Sequence, residues 1–390
     1  MAREMLPAIE NAIAAKKDAL AAVAKEIYDN PEVGLKEFNS ARVQCEYLSG
    51  MGLDVTRNFG GRETAFRADF SNGGNGPVIG IFSEYDALPQ IGHACGHHLI
   101  TLSALSAFTG ITAAMKEFNL PGTVALIGSP AEEALGGKID LLRAGVLNDL
   151  DFALITHPYF ATNTDPGNLA VGRYDVIYHG RAAHASVAPE KGINALDAQN
   201  LLFNGISFWR QQLPGTARVH GVITNGGAMP NIIPDYTSSF FYVRSTDNDM
   251  QKALEERFQR IARGAAMMTD CEVELRKYPN SYSANKAVPA LEDTARESMT
   301  QAGFELRTIT QKISTDFADV TLICPGVNFM FDVIGDGSEI PLHSEEFKQR
   351  AALEFAYNQA MRAGAAVALT AAKVLSDQNL RNKIQKEFRG

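Results

Sequence analysis

Apolar residues follow two different patterns in the first part of the chain. Residues 6–28 and 36–50 place apolar side chains at helical spacing among polar ones, which predicts two amphipathic helices. Short apolar runs between turn-forming residues predict buried strands, with helical patterns between them. The predicted strands lie at 64–70, 78–82, within 121–130 and at 151–156, and the helices between them at 99–115 and 138–144. This alternation predicts an α/β fold with a mostly parallel sheet covered by helices.

The pattern changes near residue 169. A strand, a helix, two strands, a helix and a strand follow one another over residues 169–278, in the β-α-β-β-α-β order of an α+β, ferredoxin-like unit. Helix–strand alternation resumes beyond residue 285, with a strand at 327–332 and one long helix at 344–376. We therefore expect a first domain in two parts, 1–168 and 283–390, with a second domain inserted at 169–282.

Composition and charge narrow the class of protein. The chain has 390 residues, 45% hydrophobic and 21% charged, and this length predicts two domains. A formal net charge of −9 argues against nucleic acid as a partner. The most apolar helical stretch, 353–375, contains Glu354, Arg362 and Lys373, so no membrane span is expected. The four cysteines are widely separated and the N-terminus has no signal-peptide pattern, so we expect a cytoplasmic protein.

One loop concentrates residues that bind metals. Glu84 and Asp86 follow the strand at 78–82, and a short distance later the chain carries His93, Cys95, and the pair His97 and His98. A single histidine or cysteine in such a place is usually a structural residue. Four of them beside two acids are difficult to explain as packing, because each buried polar group needs a partner. The ligand set of one thiolate and several imidazoles favours zinc or a similar metal.

Other strands of the predicted sheet also end near polar residues. Glu132 and Glu133 follow the strand within 121–130, His157 follows the strand at 151–156, and His343 precedes the last long helix. Alone, a Glu-Glu pair is most often a surface feature, and a histidine before a proline can be a plain strand end. Together with the Cys95 loop they supply a thiolate, imidazoles and carboxylates for two metal ions, a recurring hydrolytic device.

Several motifs along the chain are similar to those of one group of metal-dependent amidohydrolases. They are, in order, G-H-A-C-G-H-H, S-P-A-E-E, T-H-P, G-R-A-A-H-A-S, G-G-A-M-P-N-I-I-P, Y-V-R-S, S-T-D-F-A-D-V and L-H-S-E-E-F, and the resemblance covers about residues 31–372. The group includes hippurate hydrolase, the indole-acetyl-amino-acid hydrolases and p-aminobenzoyl-glutamate hydrolase, and is related to aminoacylase and carboxypeptidase G. The form of the Cys95 loop most resembles the p-aminobenzoyl-glutamate hydrolase branch.

The resemblance implies a fold, a cofactor and a substrate class. It implies a zinc-peptidase-like catalytic domain, with the inserted domain serving as a lid and as the interface of a homodimer. It also implies two divalent ions per subunit, zinc or manganese. The expected reaction is hydrolysis of the amide bond of N-acyl or aroyl amino acids, p-aminobenzoyl-glutamate-like compounds or small peptides.

The resemblance also implies residue roles. Cys95 matches a bridging metal ligand, and further ligands match His97, Glu133, His157 and His343. Glu132 matches the general base and acid, and Asp86 an acid that orients a ligand. In the inserted domain, His184 matches a residue that reaches the partner subunit's site, while Asn231 and Arg244 match substrate contacts. His98 departs from the family, which usually has Asp or Asn there, and we expect it to lie behind the ligands.

Two alternatives remain open on the residues alone. In a thiol hydrolase, Cys95 would be the nucleophile and a nearby histidine its base. That reading leaves Glu132, Glu133, His157 and His343 without a role, and such an enzyme would survive metal removal. The other alternative is a catalytically inactive binding homologue, for which substituted ligands would be the sign; each expected ligand type is present here.

Overall fold

The chain folds into two compact units. The computed structural model describes residues 2–390, apart from the side chains of Ala2, Arg3 and Ala134. The first unit comprises the described chain up to Pro166 together with Asn285–Gly390, and the second is Gly167–Ala284. The sequence-based boundaries of the insertion were 169–282.

The secondary structure is mixed. The strands are β1 (Val55–Arg57), β2 (Phe66–Ser71), β3 (Val78–Ser83), β4 (Thr123–Gly128), β5 (Phe152–Tyr159), β6 (Asn163–Thr164), β7 (Ala170–His179), β8 (Ala217–Asn225), β9 (Tyr236–Ser245), β10 (Glu272–Lys277) and β11 (Gly326–Asp332). The helices are α1 (Ala2–Ala14), α2 (Lys17–Asp29), α3 (Phe38–Gly50), α4 (His97–Glu117), α5 (Glu132–Leu135), α6 (Gly137–Arg143), α7 (Ala195–Arg210), α8 (Asn248–Thr269), α9 (Pro289–Gln301), α10 (Phe317–Val320), α11 (Glu345–Ala351), α12 (Glu354–Ser376) and α13 (Gln378–Arg389). Short 3₁₀ helices span Phe59–Gly61 and Pro189–Lys191.

The first unit is built on a sheet whose described strands lie in the order β1-β2-β4-β3-β5-β11-β6. The central strands β4, β3, β5 and β11 are parallel, whereas β1, β2 and β6 pair antiparallel at the edges. Along β4, Val124 and Leu126 face one apolar layer, and Ala125 and Ile127 face another. A parallel sheet covered on both faces has this pattern, so the predicted α/β class is confirmed.

Helix α4 is the centre of the first unit's core. Its most apolar window is 94% buried, so its length and hydropathy, which alone would suit a membrane span, mark a core helix. Helix α12 crosses it closely, and a Cβ placed on Gly364 would lie 2.6 Å from the carbonyl oxygen of Ser103. Because any side chain at Gly364 would collide with the α4 backbone, this glycine sets the helix–helix distance.

Two predicted helices are each divided in the structure. The pattern over residues 6–28 forms α1 and α2, which end and begin around Ala15 and Lys16. Ile13 and Leu20 are both buried and lie seven residues apart, so the apolar stripe continues in phase across the break and hides it. The predicted helix 344–376 likewise forms α11 and α12, because Leu353 is extended.

The expected end of the strand at 151–156 is also wrong, because His157 and Pro158 lie inside β5. Beyond Leu154, β5 no longer pairs with β3, while its other edge stays paired with β11 through Tyr159. A proline has no amide hydrogen to donate, so a strand paired on one edge only can include Pro158. The strand β5 therefore continues through His157 instead of ending before it.

The second unit is a four-stranded antiparallel sheet with two helices. Its strands lie in the order β10-β7-β9-β8, and α7 and α8 pack against the sheet and each other. Residues of β9 alternate between buried and partly exposed, which turns Phe241 and Val243 toward the apolar core. This connectivity is the ferredoxin-like arrangement expected from the order of elements.

Candidate active site

The first unit brings together the predicted metal ligands. Cys95, His97 and His157 offer ligand atoms that lie within 4.8 Å of one another, and so do Cys95, Glu133 and His343. We call these the two triads. Both contain the Cys95 sulfur, which is the arrangement expected of a thiolate between two cations.

The Cys95 loop depends on glycine. Gly96, with φ +81°, stands directly before His97, the first residue of α4. A Cβ on Gly96 would lie 2.7 Å from Pro158 Cγ on β5. The positive φ and the close approach therefore explain why glycine separates Cys95 from His97.

Asp86 orients His97. Asp86 Oδ1 lies 3.1 Å from His97 Nδ1, and both side chains are buried. A carboxylate at Nδ1 keeps a proton on that nitrogen, so Nε2 is the atom that can bind a cation. Burial opposes the charged imidazolium, but Cys95 and Asp86 more than offset it and raise the pKa of His97 well above its usual value, so a bound cation would have to displace the proton on Nε2. Asp86 Oδ2 also accepts a hydrogen bond from the backbone N–H of Glu133, at 3.0 Å. One carboxylate thus positions residues from two loops.

The Glu132-Glu133 turn has an unusual backbone. Ala131 has φ +59°, a left-handed conformation that costs a non-glycine residue about 1–2 kcal/mol. Its N–H donates to Glu37 Oε1 at 2.9 Å, and the Thr64 hydroxyl donates to Glu37 Oε2 at 3.0 Å. Sequence reasoning missed Glu37, because it lies 94 positions from Ala131 in an ordinary polar stretch.

His157 and His343 complete the triads in different ways. Buried His157 donates from Nδ1 to the carbonyl of Pro158 at 2.8 Å, while its Nε2 lies 3.5 Å from Cys95 Sγ. Burial, with His97 nearby, lowers the pKa of His157 to about 4, so it is the neutral imidazole that a metal requires. His343 is half exposed, and its Nε2 lies 3.4 Å from Glu133 Oε1. Its backbone N–H donates to Ala94, which ties the two loops together.

Several atoms inside this cluster have no hydrogen-bond partner among the described residues. They are Glu84 Oε2, His97 Nε2 and Glu133 Oε1, all buried. His97 Nε2 lies 3.7 Å from each of the two carboxylate oxygens. Unpaired buried polar atoms are costly, and a divalent cation would be a common partner for them. The residues present therefore fit a metal centre.

Burial has the opposite effect on Cys95 from the one a nucleophilic cysteine needs. Burial and then the charge of Glu133 raise the pKa of the Cys95 thiol well above its usual value. A reactive cysteine requires a lowered pKa, whereas a metal ligand is deprotonated by the cation itself. The thiol-hydrolase alternative therefore has no support from the surroundings of Cys95.

Next to the triads lies a buried ion cluster that the sequence analysis did not connect. Lys138 Nζ donates to Glu84 Oε1 at 2.5 Å and to Asp316 Oδ1 at 2.6 Å, and all three side chains are buried. Burial opposes the charge of Lys138, but Asp316 and Glu84 more than offset it and raise the pKa of the ammonium. Glu84 also approaches Glu132, since Glu84, His97 and Glu132 offer atoms within 4.8 Å of one another.

His98 belongs to neither triad. Its Nε2 lies 3.1 Å from the carbonyl oxygen of Ala351, at the end of α11, and its ring contacts Tyr28 with centroids 4.8 Å apart. The histidine at this unusual position therefore joins the start of α4 to the segment that follows His343.

The three site residues expected in the inserted domain belong to the second unit. None of them is part of a triad, because both triads consist of first-unit residues. His184 and Asn231 are exposed and lie on adjacent paired segments, where the Ala185 N–H donates to the Asn231 carbonyl at 3.0 Å. Arg244 lies on β9, partly buried, with its guanidinium 5.1 Å from the ring centroid of Tyr242. Its Nε is buried without a hydrogen-bond partner among the described residues.

The model of Peptidase family M20/M25/M40 matches residues 81–360, well over half of the chain. The chain belongs to this family. Xaa-Arg dipeptidase of Mus musculus is 33% identical over 389 residues, covering 95% of this chain and 89% of the relative. A p-aminobenzoyl-glutamate hydrolase chain from Escherichia coli (strain K12) is 34% identical over 307 residues, 73% of this chain and 63% of that relative. The amidohydrolase group expected from the motifs is confirmed, and the protein is a hydrolase of amide or peptide bonds.

Solved structures share the fold. A structure of a putative aminohydrolase from methicillin-resistant Staphylococcus aureus has a TM-score of 0.82 at 19% identity, covering 95% of this chain and all of that one (100%). The Bacillus subtilis YXEP protein, a dinuclear metal-binding peptidase of the M20 family, has a TM-score of 0.71 at 22% identity and covers 92% of this chain and 99% of that one. At these identities the likeness concerns the fold alone.

Proposed function

We propose that this protein is a dinuclear metal-dependent hydrolase that cleaves the amide bond of a dipeptide or N-acyl amino acid, with Glu132 as general base and acid. The observation that carries the proposal is the pair of triads sharing Cys95, with buried His97 Nε2 and Glu133 Oε1 left unpaired. When bound, two divalent cations would lower the pKa of water and polarise the amide carbonyl. Zinc and manganese both suit this mixture of thiolate, imidazole and carboxylate.

The Glu132-Glu133 turn supports a division of roles between the two carboxylates. Glu133 Oε1 faces His343 and His97, as a ligand would, whereas Glu132 lies beside Glu84 and His97. Burial, followed by Glu84 and Glu133, raises the pKa of Glu132 well above its usual value. A carboxylate that binds a proton firmly can take one from the attacking water and deliver it to the leaving amine nitrogen.

Removal of the metal tests this proposal against a thiol enzyme. Treatment with a chelator should abolish hydrolysis, and adding zinc or manganese back should restore it. A matched sample treated with a thiol-alkylating reagent while metal is bound should keep its activity, because a ligated, buried Cys95 is protected. Full activity after the metal has been removed would contradict the proposal.

For the substrate, we infer a compound with a free carboxylate on the leaving amino acid. Xaa-Arg dipeptidase and p-aminobenzoyl-glutamate hydrolase are named for substrates that carry one, and Arg244 has a partly buried guanidinium suited to receive it. We propose p-aminobenzoyl-glutamate-like compounds, with dipeptides ending in arginine as the second candidate because of the longer match to the dipeptidase. Comparison of kcat/KM for p-aminobenzoyl-glutamate, N-acyl amino acids and Xaa-Arg dipeptides, each against its carboxamide, tests both.

We also propose a homodimer in which His184 of the partner subunit completes the site. His184 Nδ1 lies 3.3 Å from the Ser186 backbone N–H and accepts its hydrogen, so Nε2 carries a proton and can donate outward from an exposed position. Such a donor can stabilise an oxyanion.

Mixing two inactive variants tests this arrangement. Glu132→Ala and His184→Ala chains would each be inactive alone, but their mixed dimer contains one site with both intact residues if His184 acts across the dimer. Activity that stays absent after the subunits exchange would place His184 outside the partner's site. Light scattering measures the oligomeric state of each sample.

A further inference from the structure

The cluster of Glu84, Lys138 and Asp316 leaves one carboxylate oxygen unused. Glu84 is 1% exposed and Lys138 and Asp316 are 0% exposed. Lys138 contacts Glu84 through Oε1 only, and Asp316 receives both the Lys138 ammonium and the Lys138 backbone N–H, the latter at 2.9 Å. Glu84 Oε2 has no hydrogen-bond partner among the described residues.

This unused oxygen points at the metal centre. Glu84 Oε2 lies 3.7 Å from His97 Nε2, which also has no hydrogen-bond partner among the described residues. Two ligand atoms at about 2.0–2.2 Å from one zinc ion lie roughly 3–3.5 Å apart, so a small adjustment would allow both to bind the same cation.

The position of Glu84 is held from several sides. Its backbone directly follows β3, and its carbonyl oxygen accepts a hydrogen bond from Thr101 Oγ1 on α4 at 3.0 Å. Lys138 is the second residue of α6, a few positions after the Glu132-Glu133 turn. Asp316 immediately precedes α10. Lys138 therefore holds the carboxylate, Thr101 holds the backbone and Asp316 holds Lys138, as expected of a pre-organised ligand.

Charge balance supports the same reading. Glu84 and Asp316 share a single ammonium group, and burial raises the pKa of Asp316 to about 7. When both carboxyl groups are ionised, the cluster carries one negative charge that Lys138 does not compensate, which is unfavourable in a buried place. A divalent cation at His97 Nε2 would compensate it. Apart from Lys138, His97 is the one side chain among the described residues that forms an ion pair with Glu84.

We propose that Glu84 is an additional metal ligand, binding through Oε2 the cation held by Cys95, His97 and His157, and that Lys138 and Asp316 are positioning residues for it. This inference rests on the proposed metal-dependent function. It adds a carboxylate oxygen to a triad of sulfur and nitrogen, which makes that position more suitable for a harder ion such as manganese.

The test measures metal binding by the full-length protein. Wild type, Glu84→Gln and Asp316→Asn are equilibrated with buffered zinc and, separately, buffered manganese, and bound metal per chain is determined by mass spectrometry. Glu255→Gln is the matched control, because Glu255 is a buried carboxylate paired with Lys277 at 2.5 Å in the second unit.

We expect wild type and Glu255→Gln to bind two cations. In Glu84→Gln one cation should bind at least about tenfold more weakly, with a larger loss for manganese than for zinc, and Asp316→Asn should show a smaller loss in the same direction. Cobalt substitution gives a second readout, since the absorption of a cobalt–thiolate centre should change in Glu84→Gln and not in Glu255→Gln.

Two results separate this inference from the proposed function. If wild type binds two cations and Glu84→Gln binds both with unchanged affinity, Glu84 is not a ligand, while the hydrolase proposal stands. If wild type binds no divalent metal, both fail. Should Glu84→Gln not fold, Glu84→Asp decides, because its shorter side chain withdraws the oxygen and wild-type affinity in that variant would equally overturn the assignment.

Discussion

The predicted metal ligands and the predicted substrate contacts differ in how their own unit prepares them. In the first unit, His97 Nε2 and Glu133 Oε1 are buried, unpaired and within 3.7 Å of each other. Of the three predicted substrate contacts in the second unit, His184 and Asn231 are exposed, and Arg244 has a buried Nε without a hydrogen-bond partner among the described residues. The predicted metal ligands are thus pre-organised within one unit, at a cost in unpaired polar groups, whereas two of the three predicted substrate contacts are exposed to water.

The largest expected effect is the loss of activity when Glu132 is replaced. Glu132→Gln should reduce kcat by about 10²–10⁴-fold, because the amide cannot accept the proton of the attacking water. Bound metal should remain at the wild-type level, since neither triad contains Glu132. Steady-state kinetics and metal analysis on one preparation check both. A variant that keeps its activity would remove Glu132 from the role of base.

The second-largest expected effect is on how protein stability depends on pH, through Glu37. Burial, with Asp86 nearby, raises the pKa of Glu37 to about 7. Between pH 4.5 and 7 the folded state therefore binds more protons than the unfolded state, so this group's contribution to stability decreases as pH rises through that window. Glu37→Gln can still accept the Ala131 N–H but does not titrate.

The free energy of unfolding of Glu37→Gln, relative to wild type, should therefore rise by roughly 3 kcal/mol from pH 4.5 to 7. Thermal unfolding of both proteins at several pH values measures the difference. Thr64→Val, which removes the hydroxyl that donates to Glu37 without removing the carboxyl, is the comparison variant. A difference between Glu37→Gln and wild type that is constant with pH would contradict the raised pKa.

Arg244 tests whether the second unit acts on the substrate and not on the metal. Arg244→Leu should lower kcat/KM for carboxylate substrates by about 10–100-fold, the loss of a charge-assisted hydrogen bond, and should change the matched carboxamides far less. Metal content should be unaffected. Arg218, which pairs with Arg244 across β8 and β9 and is exposed, provides the control Arg218→Leu. Equal losses for acids and amides would argue against a carboxylate contact.

The smallest effect on metal binding and catalysis is expected at His98. His98→Asn should remove the hydrogen bond to Ala351 and the contact with Tyr28, at a cost of about 1–3 kcal/mol in stability. Both cations should still bind, because His98 lies outside the triads. A melting curve and metal analysis give the answer, and loss of one cation would show that His98 ligates.

Short-range sequence patterns predicted a large part of this molecule. The helix predicted at 99–115 is observed within α4, and the buried strands β3 and β4 lie where apolar runs occur. The order of elements in the insertion predicted its sheet. These features could be read in advance because each depends on neighbours a few positions away in the chain.

Other features could not be read in advance for a physical reason. The break between α1 and α2 leaves the apolar stripe in phase, and the extension of β5 through Pro158 depends on which neighbouring strand ends first. Glu37 and Ala131 lie 94 positions apart, and Lys138 and Asp316 lie 178 apart. A lysine or glutamate in such a pair looks like any other polar residue until its partner is in place.

The sequence by itself determined the fold class, the family and the set of ligand types, since these follow from local pattern and from the chemistry of the side chains. The tertiary structure alone decided which predicted ligands lie next to Cys95, which carboxylates receive the Lys138 ammonium and which atoms remain without a hydrogen-bond partner. The reason is that the charge state and binding role of a carboxylate or imidazole are set by burial and by the groups within a few ångströms, and distant segments of the chain supply those groups.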